Sequence, residues 1–389
     1  MMNYYYKIKL KKMRVPSLLS KGLLISLIGI TALYADDQSE KVSQCFISNQ
    51  IAIQQYEESG DYAAALSIAR NSYGESLKLG LLEDAKIFYK MKERLEKELT
   101  TLGFSRLLFD GNYHPRIKLL ELLKILGMEN LNKFEKEIIQ INHWAQTNLL
   151  RQGERWQEQT TRFEELKPKL KPLLIELRFV DSMPPHFQEY QGAIVHGALL
   201  SRVRLRLHYL IEQWKQGIRF STLYFLSGER PLEPQEKNKE SFIQDDDSPL
   251  KIRKGWHFSE VPKTECEMIQ LVWNQSEIPS DMREEVEVHF INAPMKEDIK
   301  SGKLMRPTTE DTVKAWLKTE PIPGRYLAVT NAPYINRQDI VMRAIAPDEY
   351  GFDTVGSSAS EQEKMAIFLD ELARYIFQMN QLYTLTNSK

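Results

Sequence analysis

Two patterns of apolar positions divide the chain. From about Ser39 to Lys167, Leu, Ile, Ala and aromatic residues recur at spacings of three and four, with little glycine or proline, and helices are predicted throughout. After about Gln191, short apolar runs alternate with amphipathic stretches. Strands are predicted at 193–195, 222–226, 286–291, 326–329 and 352–355, each followed by a helix, at 201–215, 264–273, 309–318, 337–346 and 361–382. Strand–helix alternation with long connections requires parallel pairing and right-handed crossovers. The expected fold is therefore α/β: a doubly wound, mainly parallel, Rossmann-like sheet preceded by an all-α helical domain.

Prolines set the expected boundaries. Lys167-Pro168-Lys169-Leu170-Lys171-Pro172 and then Met183-Pro184-Pro185 interrupt the helical period, which gives a helical domain over 36–178 and an α/β domain over 191–389. Within the first, Gly60-Asp61-Tyr62-Ala63-Ala64-Ala65-Leu66 resembles the turn and second helix of a tetratricopeptide repeat. The next turn, Leu79-Gly80-Leu81, arrives about twenty residues later and not thirty-four, so at most one degenerate repeat is expected. An irregular helical bundle offering a surface to a protein partner is the favoured reading. In the second domain, residues 233–260 read as a polar insertion. Asp245-Asp246-Asp247 within it lacks the alternation and glycine of a calcium loop, so a solvated loop is expected.

The N-terminus changes the picture. Lys7, Lys9, Lys11, Lys12, Arg14 and Lys21 precede the uncharged run 22–35, and Asp36-Asp37 follow. That order describes a signal peptide over 1–35, and the run is short of the roughly 20 residues that span a bilayer. The expectation is export: periplasmic, or anchored in the inner membrane facing the periplasm if the segment stays uncleaved. Membrane contact is expected only in that second case. A cytoplasmic domain behind an uncleaved anchor is the remaining alternative. The formal net charge of −1 gives no global field toward nucleic acid. Cys45 and Cys266 fall in different predicted domains, and no Cys or His spacing suits a metal.

In an open parallel sheet the ligand crevice lies beyond the C-terminal strand ends. There the chain carries His196-Gly197-Ala198, Ser227-Gly228-Glu229-Arg230, Asn292-Ala293-Pro294, Thr330-Asn331 and Gly356-Ser357-Ser358. Such turns expose backbone N–H groups at helix starts and suit an anionic or polar ligand, although each alone also serves as an ordinary turn or cap. Ser227 lacks a Gly-x-Ser-x-Gly elbow and is not expected to be a nucleophile.

These segments, in this order, resemble the SanA/ElyC/YdcF type of bacterial envelope protein, over about residues 191–382. Gly197 stands where that family has a glycine run, and Ser201-Arg202-Val203-Arg204 matches its Arg-bearing helix start. Ser227-Gly228 matches a Ser-Gly-Gly turn with Glu229 in place of the second glycine. Thr264-Glu265 and Thr308-Thr309-Glu310-Asp311 match its acidic helix starts, with Asp311 for Asn. Thr330-Asn331 matches Thr-Ser, Arg337 sits at the family's Arg spacing, and Tyr334 holds the place of its His.

The resemblance implies a role in envelope biogenesis or barrier function and a small anionic or nucleotide-like ligand. S-adenosylmethionine is the one cofactor it suggests. The expected ligand-binding residues are His196, Gly197, Arg202, Ser227, Gly228, Thr308, Thr330, Asn331, Tyr334 and Arg337, with Arg337 the foremost anion ligand. Two alternatives stand beside a binding role. One is an enzyme acting on a phosphorylated or lipid-linked envelope precursor, with Glu265, Glu310 or Asp311 as acid, base or metal ligand, converging near Arg337 and Gly197. The other is a protein-interaction module that uses the helical domain and has its crevice filled by side chains.

Overall fold

The computed structural model describes residues 35–102, 105–129, 131–132, 135–151, 161–243, 249–258, 260–298 and 302–387. The basic and apolar leader, through residue 34, lies outside them, as do the three adjacent aspartates. Among the described residues no helix is long and apolar enough to cross a membrane.

The first part is helical: α1 (Ala35–Ser59), α2 (Tyr62–Lys78), α3 (Leu82–Leu102), α4 (Ile117–Ile125), α5 (Glu137–Asn148) and α6 (Lys167–Glu176). Gly60, at φ 81°, takes the left-handed conformation that turns the chain into α2. Asp61 then caps that helix by accepting from the Ala64 N–H at 3.1 Å. Ala65 is fully buried, as a close helix approach requires. The α2–α3 turn leaves Leu77, Leu79, Leu81 and Leu82 exposed. The sequence expectation that the prolines of residues 167–172 break the helical pattern is not met: both lie within a helix. Pro168 stands in the first turn of α6, where its missing N–H has no partner to lose, and Pro172 is carried inside.

The second part is a five-stranded, all-parallel sheet: β1 (Gly192–His196), β2 (Thr222–Gly228), β3 (Glu287–Ala293), β4 (Gly324–Asn331) and β5 (Tyr350–Ser357), in the order β3-β2-β1-β4-β5. Its helices are α7 (Leu200–Lys215), α8 (Glu265–Gln275), α9 (Thr309–Leu317), α10 (Ile335–Ile345) and α11 (Met365–Asn387). Alternate strand residues choose the face. Ala193, Val195, Leu223, Phe225, Leu327 and Val329 pack with residues of α7 and α8. Ile194, Tyr224, Leu226, Tyr326, Ala328 and Phe352 pack with Val313, Trp316 and Met342 of α9 and α10. The architecture is α/β and Rossmann-like, with helices on both faces of the sheet. The chain reverses its direction of strand addition between β1 and β4, so a crevice opens between their C-terminal ends.

A third core joins the two parts. Leu119, Leu122, Ile138, Ile141, Leu170 and Leu174 of α4, α5 and α6 pack in one cluster with Leu369, Leu372, Tyr375 and Ile376 of α11.

The 233–260 segment is less solvated than its composition suggests. Glu236 is 3% exposed and Phe242 is fully buried, the latter within the core of the α7–α8 face. Leu250 is buried in the same core and Phe258 packs against it, so a few apolar residues fix this charged run to the body.

Candidate functional site

The crevice between β1 and β4 is bridged by Arg206, a residue of α7 that is 2% exposed. Its Nε donates to Asn331 Oδ1 at 2.9 Å, and one terminal nitrogen donates to the carbonyls of His196 at 2.8 Å and Gly197 at 2.9 Å. Val203, Leu207 and Leu210 are the buried stripe of α7, and Arg206 lies within it. The guanidinium is therefore held over the strand ends instead of reaching water. Tyr334 lies above, 5.9 Å from Arg206 and 4.5 Å from Arg202, measured from ring centre to guanidinium carbon. Arg202 also donates to the Tyr334 hydroxyl and pairs with Glu363 at 3.4 Å. Burial pushes the Glu363 carboxyl up, against the pull of Arg202.

His196 ends β1 and is 2% exposed. Its Nε2 is buried with no hydrogen-bond partner. Burial, with Arg206 and Arg337 adding repulsion, pushes its pKa down to about 3, so the imidazole is neutral.

Gly197, in the turn after β1, has no room for a side chain. A Cβ on Gly197 would lie 2.8 Å from the Leu226 carbonyl oxygen and 3.0 Å from Glu265 Oε1. Glu265 thus packs directly on this turn, with Arg230 3.6 Å away. Arg230 in turn donates to Glu236 at 2.9 Å. The other Glu236 oxygen accepts the N–H of Leu200, the first residue of α7, at 2.9 Å. A carboxylate of the chain itself thus sits where a parallel-sheet protein most readily holds an anion. Beside it opens a cleft of about 310 Å³ lined by Leu199, Leu200, Ser201, Arg204, Gln235, Glu236 and Ser241.

Other expected site residues are committed to structure. Arg337 donates to buried Glu371 and, at 3.2 Å, to Thr309, so the foremost expected anion ligand already has a carboxylate. Ser227 donates to the Ile291 carbonyl at 2.8 Å. Gly228 permits a close approach by Pro307, and Thr330 donates to Gln338. Thr308 and Asp311 cap each other at the start of α9, and Lys296 pairs with Asp311. Burial pushes the Asp311 carboxyl up, but Lys296 and Thr308 outweigh it and hold it below the usual range. Glu310 pairs with Lys314 at 2.5 Å on the exposed face. Of the three candidate catalytic carboxylates, Glu265 therefore lies at Gly197, while Glu310 and Asp311 serve the start of α9.

The structure thus gathers His196, Gly197, Arg202, Asn331 and Tyr334 around Arg206. Sequence reading missed Arg206, Glu236 and Glu363, and named Arg230 only as part of the turn after the second strand. One signal was present: Arg206 stands three residues after Val203 and four before Leu210, on the apolar stripe where a charge needs partners. Among the described residues no group of three His, Cys, Asp or Glu converges as metal ligands would.

The fit of the Gly197 turn is testable. Gly197→Ala should cost about 1–3 kcal/mol in urea unfolding, because the Leu226 carbonyl belongs to backbone and cannot swing away. Gly74→Ala, in α2 with nothing within 4 Å of the new methyl, should be neutral or stabilising. Equal effects at the two positions would remove Gly197 from the site's frame. Comparison with family models, with curated proteins and with solved structures gives no significant match to this chain.

Proposed function

We propose that this chain is an exported, envelope-associated binding protein whose α/β region holds a small anionic ligand at the first turn of α7. The observation that carries the reading is Glu236, an internal carboxylate held by the Leu200 N–H and by Arg230 beside an open cleft. The same donors suit a phosphate or carboxylate of an outside molecule. Ser201 and Arg204 line the cleft and would meet the rest of such a ligand. The basic and apolar leader supports export, and the SanA/ElyC/YdcF resemblance supports an envelope role. Sugar phosphates and lipid-linked phosphates suit that compartment; nucleotides and S-adenosylmethionine belong in the same trial. The exposed leucines of the α2–α3 turn support a second reading, in which a protein partner docks on the helical part.

Glu236→Gln tests the first reading. It removes the nearest of three carboxylates around buried Arg230, with Glu265 at 3.6 Å and Glu233 at 3.8 Å remaining, so the unliganded variant should lose about 1–3 kcal/mol of stability. Inorganic phosphate, glycerol phosphate or sugar phosphates should then raise the Tm of the variant more than that of the parent, since the outside anion replaces the missing one. A Tm of the variant that no anion in the series raises would sink the proposal.

A further inference from the structure

A second cleft, of about 440 Å³, lies at the opposite edge of the sheet, where β4 begins and the helical part meets the α/β part. It is lined by Arg70 of α2, His186, Phe187, Gln188, Glu189 and Arg325 of β4. Two guanidinium groups lie over the one Phe187 ring, that of Arg325 at 3.5 Å and that of Arg70 at 5.0 Å from its centre. Their situations differ. Arg70 is paired with Glu96 at 2.7 Å and donates to the His186 carbonyl. The Arg325 guanidinium has neither an ion pair nor a hydrogen bond among the described residues, and its Nε is buried.

Glu189, also in the lining, is an exposed carboxylate at the rim. Asp353 accepts from the His186 backbone N–H and ring at 2.7 Å each, and from the Tyr190 hydroxyl. Burial pushes the Asp353 carboxyl up, but His186 outweighs it and holds the group ionised. Glu96 and Asp353 act on Arg325 only from a distance, and Arg70 repels it. Partial burial accordingly pushes the Arg325 pKa down. A half-buried arginine stacked on an aromatic ring, beside a second arginine and an open cleft, holds a guanidinium fork with no oxygen on it.

We propose that this cleft binds a phosphate-bearing small molecule, with the phosphate on Arg325 and Arg70. Guanidinium forks match phosphate oxygens, and the cleft lies within the size range of small-molecule sites. It is separate from the α7 site and does not depend on it.

The test uses the full chain. Inorganic phosphate and glycerol phosphate are titrated at constant ionic strength, with chloride as the reference anion, and read by Tm and by calorimetry. At a hundredfold excess over Kd the Tm should rise by roughly 3–4 °C. Arg325→Met keeps the stem on Phe187 and removes the charge, and should weaken binding roughly 10- to 100-fold. Its own Tm without phosphate should fall little, because the loss is confined to the guanidinium's stacking on Phe187 and no ion pair or hydrogen bond goes with it. Arg325→Lys keeps the charge without the fork and should bind with intermediate affinity. The proposal is overturned if phosphate gives no more shift than chloride. It is also overturned if Arg325→Met and Arg325→Lys both respond to phosphate as the parent does. A response that Glu236→Gln alters and Arg325→Met leaves unchanged places the anion at α7 and likewise overturns it. A response that Arg325→Met abolishes and Glu236→Gln leaves unchanged confirms this cleft and speaks against the α7 reading alone.

Discussion

Arg206→Met should cost about 3–5 kcal/mol of unfolding free energy, read from urea midpoints at unchanged slope. The side chain is 2% exposed and serves three acceptors: Asn331 Oδ1 and the carbonyls of His196 and Gly197. Methionine fills most of the volume but removes the donor that these three oxygens share. Each hydrogen bond from a charged donor contributes about 1.5–3 kcal/mol, and a stranded buried acceptor costs a further amount of the same order. Arg206→Lys should recover only part, since one ammonium cannot span β1 and β4 with the spread of a guanidinium. A loss below about 1 kcal/mol for the methionine variant would mean that the strand ends are held by other contacts.

Acidification should weaken the fold through His196 well before most carboxylates titrate. In the unfolded chain this histidine takes up its proton near pH 6.5, whereas in the folded chain its pKa is pushed down to about 3. Between those values the unfolded state binds more protons, so stability falls as pH falls. The loss begins near pH 6.5, amounts to about 2 kcal/mol by pH 5, and continues toward pH 3. His196→Gln removes this proton site, and the variant should lose about 2 kcal/mol less than the parent between pH 7 and pH 5. Carboxylates such as Asp353, held below the usual range, contribute stability that is present above their unfolded pKa and lost only at lower pH. The difference between parent and variant from pH 7 to pH 5 therefore isolates His196 from the other titrating groups. Parallel slopes for the parent and the variant would refute this account of His196.

The strands and helices of the α/β part were legible because each apolar run has one period and one boundary residue. Thr264 and Thr308, for example, are the caps of α8 and α9. The 167–172 segment was misread because Pro168 falls in the first turn, where its N–H has no partner to lose; Pro172, past the first turn, is carried inside the helix against the usual rule. The site was legible as a place and not as a set of bonds. Gly197, Asn331 and Tyr334 follow from where strands end. The donor that joins them, Arg206, depends on which face of α7 meets the sheet. Glu236 was hidden for a related reason: one buried carboxylate in a run of exposed ones has no local signature. Its burial is fixed by Arg230 and by the N–H of Leu200, thirty-six residues away in sequence.

The cluster that joins α4, α5 and α6 to α11 bears on how the protein is made. Those three helices are translated before the sheet, and the helix that completes their core is translated after all five strands. At ribosomal rates of about 5–20 residues per second, their apolar faces wait on the order of ten seconds or more for α11. The sheet itself forms from pairings distant in sequence, which close slowly. The nascent chain therefore presents a sticky helical surface throughout synthesis of the sheet, a natural substrate for a holding chaperone. A fragment that stops after the fifth strand would keep that surface open.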